Sequence, residues 1–333
     1  MVGILTEILI FIFLYVFFWE KDKCCDKSFM SFDITNFLRG FAILIIIIMH
    51  SSGNLDVHGL SSLGGIGVSL FLILSGYGLA ESYKKKGLTD FFQKKIFRIC
   101  LPYALFVILV TCCKQEWDKI ISLGFLLDIF CLNTSYWFIS FLIYNYALFW
   151  LTKRIHNKWI TIFIFGLFGG LIIMYDQRIR AEQVLAFPSG LLLSYYKDVI
   201  GKNICRKRIS IILLLSVSLL GALLMFLGIK HNIYNNVTEL HGLLQYKYIV
   251  AICILFLFNI FPPITSRFTT FSSNISLELY LVHFTIYRTI SIPNKEQPIS
   301  SILLFLFLSY AGAFFFHIFI DKINKQIQCI KKK

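Results

Sequence analysis

Apolar runs long enough to cross a bilayer recur along this 333-residue chain, and they leave few folds open to it. A hydrocarbon core about 30 Å thick needs roughly 17–25 mainly apolar residues to be spanned by a helix. Eleven stretches approach that pattern: Ile4–Trp19, Phe37–Ser52, Gly64–Tyr83, Ile96–Cys113, Tyr136–Leu151, Trp159–Tyr175, Gln183–Tyr196, Ile209–Gly228, Tyr246–Phe261, Ser273–Ser291 and Ser300–Ile320. The first and seventh are short and hold, respectively, Glu7 and a Pro188-Ser189-Gly190 break, so they fit least well. Lipid offers the backbone no hydrogen-bond partner, which restricts spanning segments to helices or closed barrels. Runs of this length specify helices. The expected fold class is all-α, a polytopic transmembrane helical bundle.

Composition excludes a soluble globular enzyme: 57% of the residues are hydrophobic and 15% charged, against about 25% charged in an ordinary soluble domain. The formal charge of +14 would suggest a polyanion in a soluble protein. Here membrane lipids are the expected partner and nucleic acid is not. Cytoplasmic loops retain Lys and Arg during insertion. With the spans above, 24 of the 32 Lys and Arg fall on one set of alternate loops and 8 on the other. The richer side, which carries the C-terminal tail, is the expected cytoplasmic one. The nine cysteines show no C-x-x-C pair and no Cys/His spacing suited to zinc. They read as small apolar residues and no metal is expected, with a disulfide between Cys112 or Cys113 and Cys131 as the alternative.

The N-terminus has no positive charge before its apolar run and no small-residue cleavage site, so Ile4–Trp19 reads as a retained anchor. Residues 1–31 are then an anchor span and cytoplasmic loop, 32–320 one membrane domain, and 321–333 a basic cytoplasmic tail. Ile120–Leu132 is apolar but too short to cross and contains Asp128, which suits an interfacial or re-entrant segment.

Polar groups inside spans cost roughly 2.5–3.5 kcal/mol for a central charge on insertion scales, so each needs a partner or a task. Arg39 and His50 share the second span eleven positions apart. At ~100° and ~1.5 Å per residue they lie on one face, about 16 Å apart along the axis. Such a pair suits a substrate whose anionic head stays at the cytoplasmic mouth while its reactive end reaches inward. Taken singly, Arg39 also reads as a snorkelling positive-inside residue and His50 as a hydrogen-bond partner of an outer loop. The third span, Gly64-Gly65-Ile66-Gly67-Val68-Ser69 through Ser75-Gly76-Tyr77-Gly78, has the small-residue density of close helix packing. Lys94, Lys95 and Arg98 precede the fourth span, where Lys94 and Arg98 share a helical face suited to phosphates or, alternatively, to anionic headgroups. The tenth span carries Asn274, Ser276, Glu278, Tyr280, His283 and Arg288, a load that must face protein or a water-filled cavity. On one helix, Asn274 and Glu278 would be i,i+4 neighbours, and Tyr280 and His283 i,i+3 neighbours.

In this order the motifs resemble the acyltransferase 3 family, bacterial integral-membrane enzymes that O-acylate cell-surface carbohydrates. Arg39-Gly40-Phe41-Ala42 with His50 is similar to its arginine, ten residues, histidine signature, and Gly67-Val68-Ser69-Leu70-Phe71 through Leu74-Ser75-Gly76-Tyr77 to its second signature. Lys95-Ile96-Phe97-Arg98 before Pro102-Tyr103 resembles its basic x-x-Arg step, and Ser276 through Tyr280-Leu281-Val282-His283 its late Tyr-Leu-x-His motif. Two departures stand out. Lys95 occupies a position where many members have arginine, and Ser140-Phe141-Leu142 follows the Trp-Phe pair where many have a glutamate.

The resemblance implies ten core spans, Ile4–Trp19 being additional. It implies acyl-CoA, acetyl-CoA by default, as co-substrate, bound near Arg39, Lys94, Lys95, Arg98, Ser75 and Tyr280. His50 is the expected general base, His283 its competitor and Glu278 an orienting carboxylate. The acceptor would be a hydroxyl of a lipid-linked or exported carbohydrate, and the location the bacterial cytoplasmic membrane with the C-terminus inside. The rival reading is a multi-span glycan transporter or flippase. Such proteins usually show paired halves with Gly/Pro-broken helices in corresponding positions, which this chain lacks.

Overall fold

The computed structural model describes residues 23–24, 28–53, 61–132, 136–155, 157–175, 179–230, 245–290 and 298–332. The Ile4–Trp19 run lies outside the described residues, and so does its crossing. The described residues are almost entirely helical. In chain order they form α1 (Phe32–Gly53), α2 (Ser61–Lys86), α3 (Phe91–Cys113), α4 (Trp117–Ile120), α5 (Leu123–Ile129), α6 (Trp137–Lys153) and α7 (Lys158–Tyr175). After a 3-10 turn at Ala181–Gln183 come α8 (Ala186–Tyr195), α9 (Lys197–Arg206), α10 (Arg208–Lys230), α11 (Tyr246–Ile260), α12 (Arg267–Asn274), α13 (Ser276–Ile290) and α14 (Pro298–Lys332). Two residues at Lys23–Cys24 (β1) pair antiparallel with Ile264–Thr265 (β2).

Local sequence explains the boundaries. The Ser31 side chain accepts from the Ile34 N–H at 3.3 Å and opens α1. Gly87, at φ +59°, stops α2 directly after Lys84, Lys85 and Lys86, a left-handed position that glycine takes without strain. Pro102 has no N–H to give the preceding turn. Just before it, Ile96–Cys100 widens into a π-turn, and Leu101 N–H bonds the Ile96 carbonyl.

Six helices among the described residues are long and apolar enough to cross a membrane: Phe32–Ser51, Ser62–Lys86, Phe91–Cys113, Lys158–Tyr175, Arg208–Leu227 and Ser300–Ile327. Helices α6 and α11, at 17 and 15 residues, are shorter apolar companions. The expected seventh span is different. Only ten residues of it form α8, because buried Gln183 holds a turn ahead of that helix by bonding Ser69 Oγ (2.6 Å) and the Gly65 carbonyl (3.2 Å). The expected tenth span breaks at Ile275, where α12 ends and α13 begins. A capping box at Ser266 and Thr269 starts α12 as a helix of its own. Trp117–Leu132 folds as two short helices, in keeping with a segment that does not cross. Cys112, Cys113 and Cys131 are free thiols, so the alternative disulfide does not form.

Helices α1 and α2 form the centre, with 67% and 72% of their most apolar windows buried, whereas α7 and α10 bury 17% and 11%. The exposed side of α10 is nevertheless apolar, presenting Leu213, Leu214, Val217, Leu220 and Leu224 outward. That surface fits hydrocarbon as its solvent. The central helices touch at backbone level: a Cβ on Gly67 would lie 2.7 Å from the Ala42 carbonyl oxygen, and one on Gly190 of α8 would collide with the Ile73 carbonyl of α2. The small residues of the third span thus do what their density suggested. α1 also packs against α12 and α13, which brings the tenth-span polar residues to the Arg39–His50 face.

Candidate active site

His50, near the C-terminal end of α1, meets three rings of α13. Ring centroids lie 5.2 Å from His283, 5.4 Å from Phe284 and 4.9 Å from Tyr287. His283 is fully buried, and its Nδ1 lies 2.7 Å from the Leu279 carbonyl oxygen. A carbonyl only accepts, so Nδ1 carries the proton and Nε2 bears the lone pair. That Nε2 has no hydrogen-bond partner among the described residues. An unsatisfied acceptor in the interior is costly and marks a place for a donor to arrive.

Tyr280 sits beside this pair, its ring 5.8 Å from His283, 6.1 Å from Tyr136 and 5.3 Å from Phe138. The expected i,i+3 contact of Tyr280 with His283 therefore forms. The expected Asn274–Glu278 neighbourhood does not, because the break at Ile275 puts them on different helices and leaves Asn274 exposed. Buried Glu278 instead bonds His317 Nδ1 of α14 at 2.9 Å, and His317 Nε2 lies 3.6 Å from Asp321.

About three helical turns toward the other end of α1, Arg39 is half-buried within electrostatic reach of Arg98 and of Tyr146 on α6. Neither arginine has a carboxylate partner among the described residues. Two cations held near one another repel, so this end of the bundle is prepared for an anion. Lys95 points its Nζ at the Tyr146 ring, 4.1 Å from the centroid, and so belongs to the same group. Lys94 does not join it. Its Nζ lies 3.7 Å from Asp90 and 3.1 Å from the Thr89 carbonyl, and the π-turn removes the α-helical register that put it on the Arg98 face. Ser75 is half-buried midway along α2.

At the His50 end, a cavity of about 600 Å³ opens between α3, the short helices α4 and α5, and α13. Phe284 and Tyr136 are common to this cavity and to the histidine cluster. Tyr136 hydroxyl and Thr285 share a hydrogen bond at 2.5 Å, and the Tyr103 hydroxyl donates to Asp128. Burial pushes the Asp128 carboxyl up from its ordinary value, and the Tyr103 hydrogen bond opposes that shift.

Sequence reasoning missed Tyr136, Tyr146 and His317 as members of these groups. His317 was detectable, since it interrupts an apolar run with an ionisable side chain. The two tyrosines carry no such signal.

An exposed apolar jacket around neighbouring His50 and His283, with Arg39 near Arg98 and neither in an ion pair among the described residues, defines a multi-pass membrane protein with an internal polar site. The family model for the acyltransferase 3 group, described as an acyltransferase domain, matches residues 33–318, and the chain belongs to that family. Its activity is accordingly of the acyltransferase type. No curated protein and no solved structure matches the chain.

Proposed function

We propose that the protein transfers an acyl group, acetyl by default, from cytosolic acyl-CoA to a hydroxyl of a lipid-linked or exported carbohydrate at the bacterial cytoplasmic membrane. The observation that carries this reading is one helix, α1, with Arg39 near Arg98 at one end, neither in an ion pair among the described residues, and His50 against His283 at the other. The eleven-residue spacing gives about 16 Å between them. The CoA phosphates lie at the arginines, with Lys95 nearby, and the pantetheine arm runs along α1.

His50 acts as general base. It takes the proton of the acceptor hydroxyl as that oxygen attacks the thioester carbonyl. The tetrahedral intermediate collapses, the C–S bond breaks, and the imidazolium returns the proton to the departing thiolate. General-base assistance contributes about 10²–10⁴-fold. His283 holds the second imidazole beside it, and Glu278, tied to His317, sets the position of α13 against α14. The excess of Lys and Arg on alternate loops supports an orientation with the Arg39 end and the C-terminus inside.

The test uses the full chain in lipid nanodiscs with labelled acetyl-CoA and surface glycan from a producing cell. Wild type transfers label into an ester of the glycan, and acetyl-CoA alone raises the Tm of the protein. His50→Ala abolishes transfer, and Arg98→Ala abolishes the Tm shift. Unchanged ester content in a folded His50→Ala protein removes the mechanism, and indifference to acetyl-CoA favours a transporter.

A further inference from the structure

The cavity at the His50 end has a charge pattern that the transfer chemistry leaves unused. Five ionisable side chains line it: Lys114, Glu116, Lys119, Asp128 and Arg288. Three of them are already engaged. Glu116 and Lys119 pair with one another at 2.8 Å, and Asp128 accepts the Tyr103 hydroxyl. Lys114 and Arg288 remain: neither forms an ion pair among the described residues, although Lys114 lies within electrostatic reach of Glu116. Arg288 is exposed, with its guanidinium carbon 5.5 Å from the centre of the Phe284 ring.

The rest of the lining suits a sugar. Phe106, Phe125, Tyr136 and Phe284 supply flat apolar faces, and Ser122 and Thr285 supply hydroxyls. A volume of about 600 Å³ falls within the ~300–1,000 Å³ of small-molecule sites. Position completes the case, because Phe284 borders the cavity and also stands 5.4 Å from the His50 ring. A molecule filling the cavity is therefore one aromatic ring away from the imidazole pair.

We propose that this cavity binds the acyl acceptor and selects an acidic saccharide, whose carboxylate is held by Arg288 and Lys114 while its ring lies on the aromatic wall that Phe284 shares with the histidine cluster. The assignment of this ligand as acceptor rests on the acyltransferase reading above. The preference for acid over neutral sugar rests on the cavity alone.

Trigalacturonic acid and its fully methyl-esterified form have the same shape and differ in charge, so they serve as probes. Binding of each to the full chain in phosphatidylcholine nanodiscs is measured by calorimetry. The acid binds about 10-fold more tightly than the ester, the worth of one charge-assisted hydrogen bond, and added salt weakens the acid alone. Arg288→Gln and Lys114→Gln each bring the acid close to the ester without changing the ester, and Arg288→Lys restores part of the difference. Equal binding of acid and ester to wild type overturns the proposal, as does an Arg288→Gln protein with undiminished acid affinity. Displacement of the acid by phosphatidylglycerol in the nanodisc assigns the cations to lipid headgroups and overturns it too. Acetyl-CoA binding, measured on the same samples, separates the two readings. Its absence beside intact acid selectivity removes the donor and leaves the cavity assignment, whereas its presence beside equal acid and ester binding removes only the cavity assignment.

Discussion

The imidazole rings of His50 and His283 lie 5.2 Å apart on helices from opposite ends of the chain, and the second ring is fixed by its own helix. The bond from His283 Nδ1 to the Leu279 carbonyl fixes that ring and leaves its Nε2 lone pair without a partner among the described residues, so both imidazoles are candidates for proton transfer. The mechanism proposed above assigns the base to His50 and places His283 beside it.

Substitution should separate the two roles. His50→Ala is expected to lower kcat about 10²–10⁴-fold, whereas His283→Gln, which keeps an amide near Leu279, lowers it by a smaller factor. Single-turnover transfer in nanodiscs measures both. A reversed order would move the base to His283.

Donor affinity should follow the grouping of the cations. Arg39→Gln and Arg98→Ala each weaken acetyl-CoA binding about 10-fold, as expected for one lost charge-assisted contact. Lys94→Gln changes it by less than about 2-fold, because Lys94 is exposed and turned to Asp90 at 3.7 Å. Calorimetry with acetyl-CoA decides, and equal losses at all three positions would restore Lys94 to the site.

The Glu278–His317 contact ties α13 to α14 from the inside. His317→Ala strands a buried carboxylate and should lower stability by about 1–3 kcal/mol. Glu278→Gln, which can still accept from the imidazole, should cost less. Tm in detergent measures the order of the two, and a His317→Ala protein as stable as wild type would leave the pair without a structural role.

Backbone contact between α2 and α8 predicts a sharp contrast between glycines. Gly190→Val drives a side chain into the Ile73 carbonyl and should abolish folded, monodisperse protein on size exclusion. Gly166→Ala, in α7, meets no atom within 4 Å and should be neutral or raise stability by up to about 1 kcal/mol. A well-folded Gly190→Val protein would show that the two helices can separate.

Much of the fold is legible in the chain because the membrane penalises each residue locally. Leu213, Leu214 and Val217 reveal a lipid-facing helix by composition alone, and Arg39, His50, Glu278 and His283 stand out because ionisable groups are expensive among such neighbours. Span ends were harder to read. The ten-residue α8 and the break at Ile275 depend on Gln183 and on the Ser266–Thr269 cap, whose bonds reach beyond the apolar run that hydropathy measures.

By itself, the sequence determined that this is an all-α membrane protein of the acyltransferase 3 family with a polar interior, and it placed Arg39 and His50 on one helical face. Only the tertiary structure decided what each polar group meets. It set His283 beside His50, gave Glu278 to His317 instead of Asn274, kept Lys94 with Asp90, and joined Tyr136 and Phe284 to a cavity lined by Lys114 and Arg288. The physical reason is that the cost of a polar residue in lipid depends on that residue and its immediate neighbours, whereas its partner depends on which distant helices pack against it.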